Sequence, residues 1–213
     1  YLETLLALSP RVELSVVRPA NFENDPGTDA YVFEGFVPED APTRPSLVFG
    51  SGGADWLPDE IGVQAEPVIS SWIEDHPVMQ SVPVYDLKIE QSRVFDLGDE
   101  SEGLTAVASS EETALILVQA NANRPRTVFV GFDLADSDFA FHLGFPIFVE
   151  NVLAWFSGEG LAERHSLGEI ELPSETTAVT GLDGTPIPTA DRFGRQVIEA
   201  TEADLFTAIA DGR

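Results

Sequence analysis

Apolar positions along this chain fall into short runs broken by turn residues, with helical spacing at two places. Leu2, Leu5, Leu6 and Leu8 recur at helical intervals and are stopped by Pro10, which predicts a helix over Leu2–Leu8. VELSVV (12–17) alternates and is rich in β-branched residues, which predicts a strand. A helix ahead of the first strand is, in a doubly wound sheet, a crossover between parallel strands, so a further strand is expected before Tyr1. AYVFEGF (30–36) and SLVFG (46–50) are continuous apolar runs of the kind found in parallel strands covered on both faces.

The middle of the chain is less sharply patterned. VISSWIEDHPVMQSV (68–82) suggests a short helical or irregular piece around Trp72, and VYDLKIEQSRVFDL (84–97) one or two strands. LTAVASS (104–110), ETALILVQA (112–120) and TVFVGFD (127–133) then follow at regular spacing. Asn121, Asn123, Arg124 and Pro125 supply the turn of a hairpin between the last two. Asp136, Ser137 and Asp138 are N-cap candidates for a helix over 139–156, which places Phe141, Phe145, Phe148, Val149, Val152 and Trp155 on one core-facing side.

Ser157, Gly158, Glu159 and Gly160 read as a linker. Beyond it GEIEL (168–172), TTAVTGL (176–182), TPIP (185–188) and RQVIEAT (195–201), with Asp183-Gly184 as a tight turn, predict a small β-sandwich-like module with too few strands to be complete. The expected organisation is an α/β domain over 1–158 and a partial β-rich module over 166–213.

Composition narrows the function. With 213 residues, 43% of them hydrophobic, the chain can bury one full core and part of a second. Asp and Glu number 37 against 11 Lys and Arg, a formal charge of -26 that repels nucleic-acid phosphates and anionic lipid alike. Salt adaptation, simple solubility or divalent-cation binding would each account for such acidity. Zero cysteine removes disulfides, thiolate metal sites and cysteine nucleophiles. Lys88 is the only lysine, which excludes mechanisms that need one elsewhere. No apolar run approaches the roughly 18 residues that span a bilayer, and the opening has no signal-peptide form, so the chain reads as a soluble segment of something larger.

Candidate chemistry is sparse. Gly50, Ser51, Gly52 and Gly53 follow a strand, where an open α/β sheet places a ligand loop, but without a P-loop ending; a flexible turn is the plainer alternative. No Gly-x-Ser-x-Gly elbow exists. Asp133, Asp136 and Asp138 lie close enough in sequence to converge on Mg²⁺ or Ca²⁺, although capping and dipole compensation also account for the last two. Among the histidines, His142 is expected as a packed helix residue and His165 on the surface. His76, in Asp75-His76-Pro77-Val78, is the one candidate for a site, with a helix-ending turn as its structural alternative.

Three stretches carry a family resemblance: YLETLLALSPRVELSVVRPA at the start, WIEDHPV (72–78), and VFVGFDLADSDFAFHLGFPIFVENVLAWF (128–156). Over roughly its first three quarters the chain resembles large bacterial membrane proteins that combine an aerotolerance-regulator-type membrane segment, a von Willebrand A domain and a class I glutamine-amidotransferase-like domain. The resemblance implies a flavodoxin-like three-layer fold held outside the membrane, in extracytoplasmic space, by helices that lie elsewhere. Such an amidotransferase uses a cysteine on an elbow backed by a His-Glu pair. This chain has no cysteine, elbow or His-x-Glu, so no catalytic residue carries over. The expected function is a non-catalytic interaction or scaffolding domain that needs no cofactor and whose partner is a protein or another domain of the same polypeptide. The alternatives are a metal-dependent hydrolase or sugar-related enzyme using Asp133, Asp136, Asp138 and His76, and a small-ligand binding module around 50–53.

Overall fold

The computed structural model describes residues 1–50, 52–97, 103–121, 124–158, 168–172, 176–181, 185–192, 195–200 and 206–210. The chain divides into two compact units, 1–161 and 162–213.

The first unit is a mixed α/β structure around a six-stranded sheet of β1 (Tyr31–Glu34), β2 (Ser46–Phe49), β4 (Ser71–Trp72), β6 (Leu104–Ser109), β7 (Ala114–Asn121) and β8 (Arg124–Val130), in the order β1-β2-β8-β7-β6-β4. β1, β2 and β8 run parallel; β7, β6 and β4 continue antiparallel. Of the two apolar runs expected as strands covered on both faces, SLVFG is one, with all four residues of β2 buried, whereas β1 lies at the sheet edge with Phe33 as its one buried residue; the first six residues of β7 are buried as well. Strand alternation sends Leu47, Phe49, Val128 and Val130 to one face, and Val48 and Phe129 to the other.

On the first face lie α1 (Leu2–Leu8) and α2 (Gly144–Ser157), with the 3₁₀ turn Pro77–Met79. Phe145, Phe148, Val149, Val152 and Trp155 form the buried side of α2. Asn151 fastens the helix to that turn by donating to the carbonyls of Val78 and Gln80 at 3.3 and 2.8 Å. At the other end of the same helix face, Arg126 of β8 donates to the Trp155 carbonyl and places its guanidinium 5.3 Å from the Trp155 ring centroid. The opposite sheet face is covered by Phe22, Phe36, Trp56 and Leu57 from loops, and by Phe95 of β5 (Gln91–Phe95), which pairs with β3 (Glu60–Ala65) in a separate two-stranded ribbon.

Several expectations need correction. The helix expected over 139–156 begins only at Gly144, after 3₁₀ turns at Leu134–Asp136 and Phe139–Phe141. Pro146 is the reason: it is tolerated in a first helical turn, but in a longer helix it would remove a hydrogen bond and clash with the turn before it. Phe141 is therefore 68% exposed instead of core-facing, and Leu143, not Asp136 or Asp138, is the N-cap. Residues 12–17 form no strand. Val12 and Leu14 pack against the core, whereas Val16 and Val17 are exposed. Alternation alone does not make a strand without a neighbouring backbone to pair with. Trp72 lies in an edge strand, paired with Ala108, and not in a helical piece. β3 is an addition that periodicity did not suggest.

The second unit contains β9 (Gly168–Glu171), β10 (Thr176–Gly181), β11 (Ala190–Arg192), β12 (Arg195–Ala200) and β13 (Phe206–Ala210), in a three-stranded sheet β11-β12-β9 and a pair β10-β13. Leu172, Val179 and Ile198, drawn from both sheets and their flanks, form one buried cluster. The turn expected at Asp183-Gly184 and residues 159 and 160 of the expected linker lie outside the described residues; Ser157 is the last residue of α2, and Gly158 ends the helix with φ +76°.

Candidate functional site

The parallel strands β1, β2 and β8 end on the same edge of the sheet, which is where open α/β sheets hold ligands. An open cleft of about 330 Å³ lies there, lined by Gly35, Phe36 and Val37 after β1, Gly50 and Gly52 after β2, Asp133 after β8, and Arg93 of β5. Two glycines make this close approach of backbones possible. Gly50 has φ +60°, and a Cβ on it would sit 2.2 Å from the Asp133 carboxyl group. Gly131 lets β5 cross the end of β8: Arg93 N donates to its carbonyl at 2.8 Å, and a Cβ there would meet the Ser92 hydroxyl at 2.8 Å.

Arg93 organises the cleft. Its Nε donates to the Gly50 carbonyl and its Nη1 pairs with Glu60 of β3 at 2.5 Å, both side chains about a quarter to a third exposed (30% and 26%). Asp133 is treated differently. Among the described residues no hydrogen bond reaches its carboxylate, and partial burial, reinforced by the Asp136 charge and only partly offset by Arg93, raises its pKa above the ordinary aspartate value. A partly buried carboxylate that no described donor reaches, in a cleft beside an arginine engaged elsewhere, makes this edge the candidate ligand position.

The carboxylates of the other acidic candidates are engaged by partners of their own. Residues 136–138 are zipped against 88–90: Glu90 N donates to the Asp136 carbonyl at 2.7 Å, Asp138 N to the Lys88 carbonyl at 3.0 Å, and Ile89 bridges Ser137. The Asp138 carboxylate accepts from Lys88 N at 2.9 Å and that of Asp136 from Gln91 Nε2 at 2.7 Å. No group of three His, Asp or Glu side chains among the described residues is placed to hold a metal ion.

His76 is not part of the cleft. Its Nδ1 accepts from Val78 N at 3.2 Å, capping the Pro77–Met79 turn, its ring packs edge-on against Trp155 at 5.8 Å, and burial lowers its pKa. Trp155 is tied to Arg126 at the entry of β8, while Asp133 lies beyond its exit, so the seven-residue strand, at about 3.3 Å per residue, keeps the two candidates apart. Of the glycine loop, Gly50 and Gly52 line the cleft, Gly53 is exposed with φ +86°, and Ser51 and also His165 lie outside the described residues. His142 precedes α2 instead of lying within it. Its Nδ1 accepts from Gly144 N at 3.1 Å, which leaves Nε2 to donate to Asp86 at 2.7 Å.

Arg93 and Glu60 are the site residues that sequence reading passes over. The available signal was a single arginine inside the strand QSRVF of a chain with 11 basic residues.

The electrostatics of Asp133 give a test. Because its folded pKa is raised, the folded state holds the proton more tightly than the unfolded chain, so this group favours folding below the ordinary aspartate value and that contribution is lost as pH rises through the raised pKa. Asp133→Asn is therefore expected to melt higher than the parent at pH 7, with the difference closing as pH falls toward about 4. A variant that melts lower at pH 7 would show that the carboxylate stabilises the fold.

No protein-family model matches the chain, and no curated protein matches it. Among solved structures it is similar to the cytoplasmic protein STM3548 from Salmonella typhimurium, at 12% identity and a TM-score of 0.40, over 53% of this chain and 55% of that one. The chain thus spans about half the length of that structure. No helix among the described residues is long and apolar enough to cross a membrane.

Proposed function

We propose that this chain is a non-catalytic binding domain of amidotransferase-like, flavodoxin-like layered architecture, the soluble extracytoplasmic part of a membrane-anchored multidomain protein, with the small β module as a further interaction element. The cleft after β1, β2 and β8 binds a small polar ligand, or a polar side chain of a partner domain, that brings N–H or O–H donors to Asp133. One observation carries this reading: the Asp133 carboxylate lines an open cleft and receives no hydrogen bond among the described residues, while Arg93, whose charge acts on it, is committed to Gly50 and Glu60. The absence of any cysteine supports the non-catalytic half, since acyl transfer needs an activated nucleophile with a base in reach.

The test is a thermal-shift screen of small amines, amides and polyols against the full chain, paired with turnover assays on glutamine and p-nitrophenyl acetate. Compounds that stabilise the parent and leave Asp133→Asn unmoved support the reading, because a ligand at a hundred times its Kd adds about 2.7 kcal/mol to the folded state. Turnover above a heat-killed control that Asp133→Ala abolishes would make the cleft an active site.

A further inference from the structure

A second cavity, of about 260 Å³, opens on the loop-covered face of the sheet, between residues 55–58 and the ends of β6, β7 and β8. It is separate from the Asp133 cleft and shares no lining residue with it. The strand period explains its chemistry. Leu117 and Gln119 project to the same face of β7, and Leu117 joins the apolar cluster beneath that face. Where the alternation calls for another apolar residue it offers Gln119, which is only 8% exposed and lines the cavity. Among the described residues no hydrogen bond reaches its side-chain amide. That amide is met only by the solvent of the cavity, and it offers one donor and one acceptor, on a side chain otherwise fixed by burial, to whatever occupies the space.

The rest of the wall defines that ligand. Trp56 is half-buried and held rigid: its Nε1 donates to the Pro38 carbonyl at 3.0 Å, and its ring packs against Phe33 and Phe129 at 6.4 and 6.3 Å. It offers a fixed aromatic surface with its polar atom already used. Exposed Arg124 and Asp55 stand at the rim with opposite charges, which cancel and leave no preference for an anion. The chain's charge of -26 further disfavours phosphates and nucleotides. The volume falls just below the roughly 300–1,000 Å³ of sites for drug-sized ligands, so it suits a single ring.

We infer that this cavity is a binding subsite for one neutral sugar ring, which lays its apolar C–H face on Trp56 and exchanges hydroxyl hydrogen bonds with the donor and acceptor of the Gln119 amide. Asp55 and Arg124 reach the outer hydroxyls. The site stands independently of the Asp133 cleft and of any activity there.

The experiment titrates the full chain with D-glucose, D-galactose and N-acetyl-D-glucosamine, following the Trp56 indole and Gln119 side-chain amide signals by ¹H–¹⁵N NMR. At least one sugar is expected to move both signals saturably. Gln119→Leu is expected to weaken that binding about tenfold or more, as loss of a hydrogen-bonded pair would, while melting no lower than the parent. With that melting temperature as the check on the fold, a loss of binding reads on the site itself. Shifts that never saturate, that survive unchanged in Gln119→Leu, or that come from adenosine and from none of the sugars would overturn the assignment.

Discussion

Phe148→Ala should lower the unfolding free energy by about 3–5 kcal/mol, the usual effect of emptying a fully buried aromatic position. Phe148 is 0% exposed, lies 5.4 Å from the Phe139 ring, and sits mid-way along the face of α2 that packs on the sheet. The matched control is Phe141→Ala, which removes the same side chain from a position 68% exposed, whose ring contact with Tyr1, at 4.4 Å, is an edge interaction at the surface. That variant should cost at most about 1 kcal/mol. Chemical denaturation with an unchanged m-value separates the two. Equal losses would mean that 139–143 packs as part of the helix, as the uncorrected periodicity suggests, and a Phe148 loss below about 1 kcal/mol would make α2 peripheral.

The pair also shows what the sequence could and could not reveal. Runs such as SLVF and ALILV were legible because a strand buried on both faces leaves no polar position to confuse the pattern. Phe145, Phe148, Val152 and Trp155 were legible for a similar reason: helical spacing and burial agree over three turns. The helix start was misread because apolar spacing continues back through Phe141, although Pro146 forbids a helix there. β3 was hidden because EIGVQA is mostly exposed and becomes a strand only by pairing with β5.

The candidate cleft was half visible. Gly50, Gly52 and Asp133 each follow a readable strand, and position after a strand is what makes a residue a candidate in an α/β sheet. Grouping Asp133 with Asp136 and Asp138 was an inference from sequence proximity, and the pairing of 136–138 with 88–90 gives those two carboxylates hydrogen-bond partners of their own, Asp136 acting on Asp133 through its charge alone. Arg93 and Glu60 come from β5 and β3, 43 and 10 positions along from Gly50, and nothing local signals that they meet. Gln119 was visible as a polar residue in an apolar strand, yet only the cavity beside it gives that polarity a use.

Gly50→Ala is expected to be the most damaging change in the cleft, and its cost should divide into two parts that a double-mutant cycle can separate. The first part is backbone: φ +60° is left-handed, and an L side chain there costs about 1–2 kcal/mol. The second is overpacking, since the new Cβ would lie 2.2 Å from the Asp133 carboxyl carbon and one of its oxygens, a conflict typically worth about 1–3 kcal/mol. Asp133 can relieve it only by leaving its place over β2. Gly50→Ala alone should therefore cost about 2–5 kcal/mol, whereas in an Asp133→Ala background the opposing carboxyl is gone and only the backbone part should remain. The expected coupling is about 1–3 kcal/mol, in the range seen for residues in direct contact. Additive losses would mean that Asp133 does not sit over Gly50, and the cleft as described would not exist. If the coupling is found, the same cycle run with a ligand from the screen should show Gly50→Ala abolishing binding even where the protein remains folded, because the methyl group occupies the space in which the carboxylate must stand to receive it.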